Sequence, residues 1–242
     1  MRGYLVAVVL AGAAMMPSAA IAAPGLGSKV YGATIEPGET ELELRYGRLT
    51  GGDQAGEDAL VFEAAHHFAN IYAALLAEFE REPHGDRKLS AIAGEAILPL
   101  GQIAGIDTAL YGEYEAVIDG PDAIEAKLLL QKRAGQWDSR LNLIAGYALS
   151  VGGPVEFGYA ASTDVEIAEE VRVGVAAFGG LGSSRNFSAR GDHYAGPVVK
   201  TAIEHLAGGE LEIEAGYLFA IGRARDEADG QLRLLLEFAK HF

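Results

Sequence analysis

The chain has 242 residues, half of them hydrophobic, with a formal charge of −15 and no cysteine. Its acidity argues against nucleic acid as a partner, because phosphate backbones are bound by clustered Lys and Arg. The absence of thiols excludes a disulfide framework and a thiolate metal site.

The opening residues, MRGYLVAVVLAGAAMMPSAAIAA, set Arg2 before an apolar run from Tyr4 to Met16, followed by Pro17 and small residues. This is the pattern of a secretory signal peptide. Ala20 and Ala22 occupy the small-residue positions of a cleavage site, so 1–22 is expected to be removed between Ala22 and Ala23. A spanning anchor would need about 20 apolar residues, and Pro17 and Ser18 end the run first. Residues 23–242 then form one domain with 18 basic and 34 acidic residues, or −16, within which 23–37 is expected to be a periplasmic N-terminal extension. Later apolar runs such as Leu128–Leu130 are soon interrupted by charge. Entry into a membrane would therefore require a closed barrel, since only helices and closed barrels satisfy every backbone group in lipid.

From residue 38 a period of two recurs. GETELELRYG (38–47) puts Leu42, Leu44 and Tyr46 on one face and Glu41, Glu43 and Arg45 on the other. ANIYAALLAEFE (69–80) lacks a sustained helical spacing and is read as a strand. IDTALYGEYEAVI (106–118), AIEAKLLLQKR (123–133) and WDSRLNLIAGYAL (137–149) alternate in the same way. DVEIAEEVRVGVAAF (164–178) alternates from Val171, and its Glu169–Glu170 pair suggests a bulge. ELEIEAGYLFAI (210–221) sets Leu211, Ile213, Tyr217 and Phe219 against Glu210, Glu212 and Glu214. Such alternation over many segments is the strand signal.

The links discriminate further. Those at 51–58, 82–88, 119–122, 150–154, 179–196 and 223–230 are longer and more polar than those near Asn70 and at 99–102, 134–136, 162–164 and 207–209. Outer-membrane barrels have short periplasmic turns, longer outer loops and strands of about 10 residues. The fold class expected is all-β, a single transmembrane antiparallel up-and-down barrel of about twelve strands, with 10 to 14 as the range. An even strand count places both termini in the periplasm. A soluble sandwich alternates too, but strand length, Phe68, Tyr72, Trp137 and Phe178 near strand ends, and the terminal Phe242 favour the barrel.

The last residues, LLLEFAKHF, resemble the C-terminal signal of Gram-negative outer-membrane barrels, which the barrel-assembly machinery recognises. Leu234, Leu236, Phe238 and Phe242 match that pattern, and Lys240 departs from it. A lysine at a membrane interface can snorkel to water. The opening SKVYGATIEPGETELELRYG is similar to the first strand of barrels grouped with the MetA phenol-degradation pathway.

If the apolar faces meet lipid, the other faces line a lumen. Residues expected to point inward include Glu43, Arg45, Glu78, Glu80, Glu113, Glu115, Glu125, Lys127, Arg140, Arg172, Glu212, Glu214, Arg233 and Glu237. Such charges either pair into a ladder that stiffens the interior or line an acid-rich aqueous path favouring cations and polar neutral solutes over anions. Arg233 is expected to pair with an inward acid of the first strand.

Enzyme chemistry finds little support. Outer-membrane phospholipase A has a similar strand number, but its H-x-S-N-G stretch is absent. Ser183, Ser184 and His193 share the 179–196 link without a marked third group. Asp192 and His193 fall short of a metal ligand set. His66 and His67 are adjacent on a strand and so face opposite ways. No catalytic residue, metal ligand or cofactor is assigned. The expected function is a porin-like channel or transporter for small polar or cationic solutes in the bacterial outer membrane, with membrane lipid, the assembly machinery and small solutes as partners. The alternatives are a surface lipid hydrolase and a plugged structural barrel.

Overall fold

The computed structural model describes residues 24–150, 152–188 and 191–241; the expected signal peptide and Phe242 lie outside them. Twelve antiparallel strands follow in chain order: β1 (Glu39–Thr50), β2 (Asp58–His67), β3 (Tyr72–Arg81), β4 (Lys88–Ile103), β5 (Ile106–Val117), β6 (Ala123–Ala134), β7 (Trp137–Ala148), β8 (Glu156–Ala168), β9 (Val171–Ser183), β10 (Asp192–Leu206), β11 (Gly209–Gly222) and β12 (Gly230–His241). Each strand pairs with its neighbours in sequence, and β1 pairs with β12 from Glu39↔His241 to Thr50↔Gly230, closing the ring. The twelve-stranded closed barrel expected from the links is the architecture observed. Closure removes the free edges that an open sheet would leave unpaired.

The two ends of the barrel differ as their sequences require. At the end carrying both Glu39 and His241, called the terminal end here, the connections at 104–105, 135–136, 169–170 and 207–208 are two residues each. Ala104–Gly105 and Ala207–Gly208 hold positive φ at both positions (52° and 79°, 51° and 79°). That is the type I′ geometry whose twist matches paired strands. The opposite, or loop, end carries the longer links 51–57, 82–87, 118–122, 149–155, 184–191 and 223–229.

Three link boundaries differ from the sequence reading. Residues 99–102 lie inside β4, with an irregularity between Pro99 and Gly101 where the proline cannot donate to the ladder. Ser162–Asp164 lie inside β8; the turn comes later, at Glu169–Glu170, with the bulge between Glu166 and Ala168. Most of 179–196 is strand, because Gly179–Ser183 complete β9 and Asp192–Gly196 begin β10.

Alternation places apolar side chains outside. Leu42 on β1 and Leu75 on β3 are 58% and 71% exposed, and Ile92, Leu110, Val175 and Phe219 continue the belt around other strands. The inner face holds polar groups such as Glu43, Asn142 and Gln231, all buried. Phe68 and Trp137 face outward near strand ends, whereas Tyr72 and Phe178, read as membrane-interface aromatics, are buried inside. On β12, Leu234, Leu236 and Phe238 stand opposite Tyr46, Leu44 and Leu42 on the outward face. Lys240 shares that face opposite Thr40, and its Nζ would lie 3.7 Å from a Cβ on Gly208. The ammonium thus reaches the rim turn, where it can stay hydrated.

Candidate functional site

Residues Pro24–Glu36, which fall within the 23–37 read from sequence as a periplasmic extension, run through the lumen. Their partners come from strands on opposite sides of the ring. At the loop end Gln231 Nε2 donates to Pro24 O (3.0 Å), and deeper in, Arg233 Nη2 donates to Ser28 O (3.0 Å). Midway, Tyr31 N–H donates to Asn142 Oδ1 (2.8 Å) while Asn142 Nδ2 donates to Tyr31 O (3.0 Å). Ala33 N–H donates to Gln131 Oε1 (3.0 Å), and Arg133 Nη2 donates to Thr34 Oγ1 (3.0 Å). At the terminal end Glu36 N–H donates to His67 Nδ1 (3.0 Å), after which Pro37 and Gly38 lead the chain into β1.

The physical reason lies in backbone satisfaction. A single extended segment inside a barrel has no sheet partner, so its buried N–H and C=O groups need side chains. Asn and Gln amides supply both a donor and an acceptor. The lumen also makes steric room. Gly47 of β1 faces inward, and a Cβ there would lie 2.8 Å from both Gly27 N and Leu26 Cδ1. Gly25, at φ 84°, rests against the Phe178 ring.

A buried charge cluster holds the middle of the segment. Lys29 Nζ lies 3.0 Å from Glu43 and 3.2 Å from Glu63, while Arg45 lies 3.2 Å and 3.0 Å from the same two carboxylates. Two cations and two anions thus balance, which is the condition for keeping charges out of water. The Tyr72 hydroxyl also donates to Glu63. Above this group, Tyr31 and Tyr111 hydroxyls donate to Glu95 Oε2 (2.8 and 2.7 Å), and Arg45 Nη1 donates to Tyr31 (3.1 Å). Lys127 Nζ sits 4.0 Å from the Tyr111 ring centre and 4.5 Å from that of Tyr31, as in a cation–π contact.

The segment leaves two cavities. One, of about 380 Å³, opens toward the terminal end and is lined by Arg140, Arg172, Lys200, Glu212, Glu214 and Glu237 among others. Its cations are paired: Arg140 with Asp138 (2.9 Å), Arg172 and Lys200 with Asp164 (2.5 and 2.8 Å). The other, of about 250 Å³, lies toward the loop end and is lined by Glu78, Glu80, Glu113, Glu115, Glu125, Lys127 and Arg45 among others. There Lys127 pairs with Glu125 (2.9 Å), and Arg45 is engaged with Glu43 and Glu63. Lys29 lines both cavities.

Arg233 does not pair with an acid of β1. Its register partner there is Gly47, and its Nε donates instead to Glu214 Oε1 of β11 (3.1 Å). Lys29, Tyr31, Gln131 and Gln231 are not singled out by sequence, and Asn142 is placed on the polar face of 137–149 without a role. Segment 24–36 has no sustained alternation to betray its position, although the uncharged amides Gln131, Asn142 and Gln231, each on a strand face that also carries charge, are a readable signal.

The remaining candidates resolve differently. His66 bonds Thr40 Oγ1 (2.9 Å), while His67 lies inside with Nε2 2.7 Å from Glu41. Ligand atoms of Glu39, Glu41 and His67 lie within 4.8 Å of one another, but Nδ1 accepts the Glu36 N–H, which places the ring proton on Nε2. The group is a hydrogen-bonded clasp at the exit of the segment. Ser183 Oγ accepts turn amides from Arg185 and Asn186, Ser184 Oγ accepts the Val155 N–H, and His193 Nδ1 lies 3.3 Å from the Tyr159 hydroxyl.

No protein-family model matches the chain, and no curated protein matches it in sequence. Solved structures do match. The COG4313 outer membrane channel from Pseudomonas putida F1 superposes with a TM-score of 0.58 at 12% identity, covering 86% of this chain and 97% of that one. The KdgM porin gives 0.51 at 13% identity, and its complex with disordered oligogalacturonate 0.52 at 12%, each covering 84% of this chain and 99% of the other. At such identities the likeness is one of fold: the chain has the fold of an outer-membrane channel barrel.

Proposed function

We propose that the protein is an outer-membrane channel for small polar solutes that favours cations over anions. The observation carrying this reading is the acid-rich cavity of about 250 Å³, where Glu78, Glu80, Glu113, Glu115 and Glu125 face Lys127 as the cation not engaged by Glu43 and Glu63. A cluster of carboxylates on the wall of an aqueous path lowers the barrier for cations and raises it for anions. The apolar belt supports a position in lipid, and the contrast between two-residue turns and longer links supports both termini facing the periplasm. The outward row Leu234, Leu236 and Phe238 supports recognition of the last strand by the barrel-assembly machinery, as does its resemblance to the C-terminal signal.

The test is conductance of the purified, folded protein in planar bilayers under a salt gradient. Stepwise currents with a reversal potential on the cation side are expected. Anion selectivity would overturn the preference. Persistent silence from a folded barrel would favour the second reading, a plugged structural barrel, which the threaded segment Pro24–Glu36 specifically supports.

A further inference from the structure

Glu43 stands directly opposite Glu63 on β2 and opposite Glu237 on β12, and Glu237 in turn stands opposite Glu212 on β11. Four carboxylates therefore form one lateral row across four adjacent strands. Like charges directly opposite destabilise a strand pair, so such a row calls for cations. The cations beside it at Glu43 and Glu63 are Arg45, from the wall itself, and Lys29, which reaches in from the segment. The Lys29 ammonium sits between two carboxylates at 3.0 and 3.2 Å and 5.9 Å from the Tyr72 ring centre. Carboxylates plus an aromatic face make a seat for an organic ammonium. Lys29 lines both cavities, while Glu43, Glu63 and Tyr72, which its ammonium faces, line neither.

We propose that this position is a binding site for primary alkylammonium groups, occupied in the closed barrel by Lys29 as a tethered competitor. Glu43 and Glu63 accept hydrogen bonds from the ammonium, Tyr72 presents its ring, and the space filled by the lysine stem takes the alkyl chain of a free amine. With Lys29 withdrawn, two carboxylates are left with the single guanidinium of Arg45, and an amine can seat in the lysine's place. Passage of the amine beyond the site rests on the channel reading; occupancy of the site does not.

The experiment uses the full chain carrying Lys29→Gly, with n-butylammonium as the probe because its four carbons and head match the side chain removed. Butylammonium chloride is expected to raise the melting temperature of this variant by a few degrees and saturably, since ligand that binds only the folded state stabilises it. Equimolar sodium chloride, tetramethylammonium chloride and butanol are expected to give much less, and the parent protein to respond weakly because its site is filled. Equal responses to butylammonium and sodium, or none to either, overturn the amine site. If the variant does not assemble, its refolding yield with butylammonium or with sodium gives the same decision: recovery by the amine alone supports the site, and equal yields refute it. In bilayers the variant is expected to conduct more often than the parent and to be blocked by butylammonium. Amine stabilisation in a variant that stays electrically silent would leave the site standing and count against the channel.

Discussion

Replacing Asn142 by leucine tests whether the lumenal segment is held by side-chain amides. Asn142 is fully buried, and its amide makes two hydrogen bonds to the Tyr31 backbone, at 2.8 and 3.0 Å. Leucine is close in volume and removes both bonds while leaving the twelve-strand ladder intact. If lumen water replaces the lost partners, two bonds at about 0.5–1.5 kcal/mol each cost about 1–3 kcal/mol. If the Tyr31 N–H and C=O stay dry, at about 1–3 kcal/mol per orphaned group, the cost is about 2–6 kcal/mol. Even the lower bound shifts the docked-to-undocked ratio of the segment about fivefold, since about 1.4 kcal/mol is tenfold. The assay is amide hydrogen exchange at Tyr31 in the folded, detergent-solubilised protein, with a β-ladder amide such as Leu129 as internal control. Faster exchange at Tyr31 with the control unchanged is expected. Asn142→Asp, which keeps the acceptor for Tyr31 N–H, should fall between the parent and Asn142→Leu. Unchanged protection at Tyr31 in Asn142→Leu would refute the reasoning, because the segment would then be held there without the Asn142 amide.

Other outcomes follow from the same geometry. Gly47→Val places a side chain where Leu26 and Gly27 lie within 2.8 Å of a Cβ, so a loss of about 1–3 kcal/mol is expected in reversible unfolding, as for an overpacked core. Leu75→Arg, near the middle of the lipid-facing side of β3, should cost about 2–4 kcal/mol in folding into bilayers if that belt meets the bilayer midplane; no loss would refute the lipid assignment. Arg233→Glu sets a carboxylate beside Glu214 and removes the bond to Ser28 O. Breaking such a buried pair costs about 3–5 kcal/mol, read as a lower unfolding temperature in heat-modifiability gels, and Glu214→Gln in the same chain should recover part of it.

Lys127 and Glu125 show how much of the site is legible in the residue order. Two residues apart on an alternating strand, they must share a face, and they pair at 2.9 Å. Arg233 shows where such reading stops. Its face is legible from period two, but its partner depends on register, and the closing register puts Gly47 opposite it and leaves Glu214 of β11 to take the charge. The row of Glu63, Glu43, Glu237 and Glu212 has the same origin: four residues far apart in sequence become neighbours only once β1 meets β12.

By itself the amino-acid order determined the strand class, the two faces and a count of about twelve, because side-chain direction in a strand repeats every two residues and turns carry their own chemistry. The position of Pro24–Glu36 was decided by tertiary structure alone. That segment has no sustained strand or helix period, and its backbone is satisfied where Asn142, Gln131, Gln231, Arg233 and His67 converge. Convergence of groups from β2, β6, β7 and β12 exists only inside a closed ring, so the segment that divides the lumen became visible only when the ring closed.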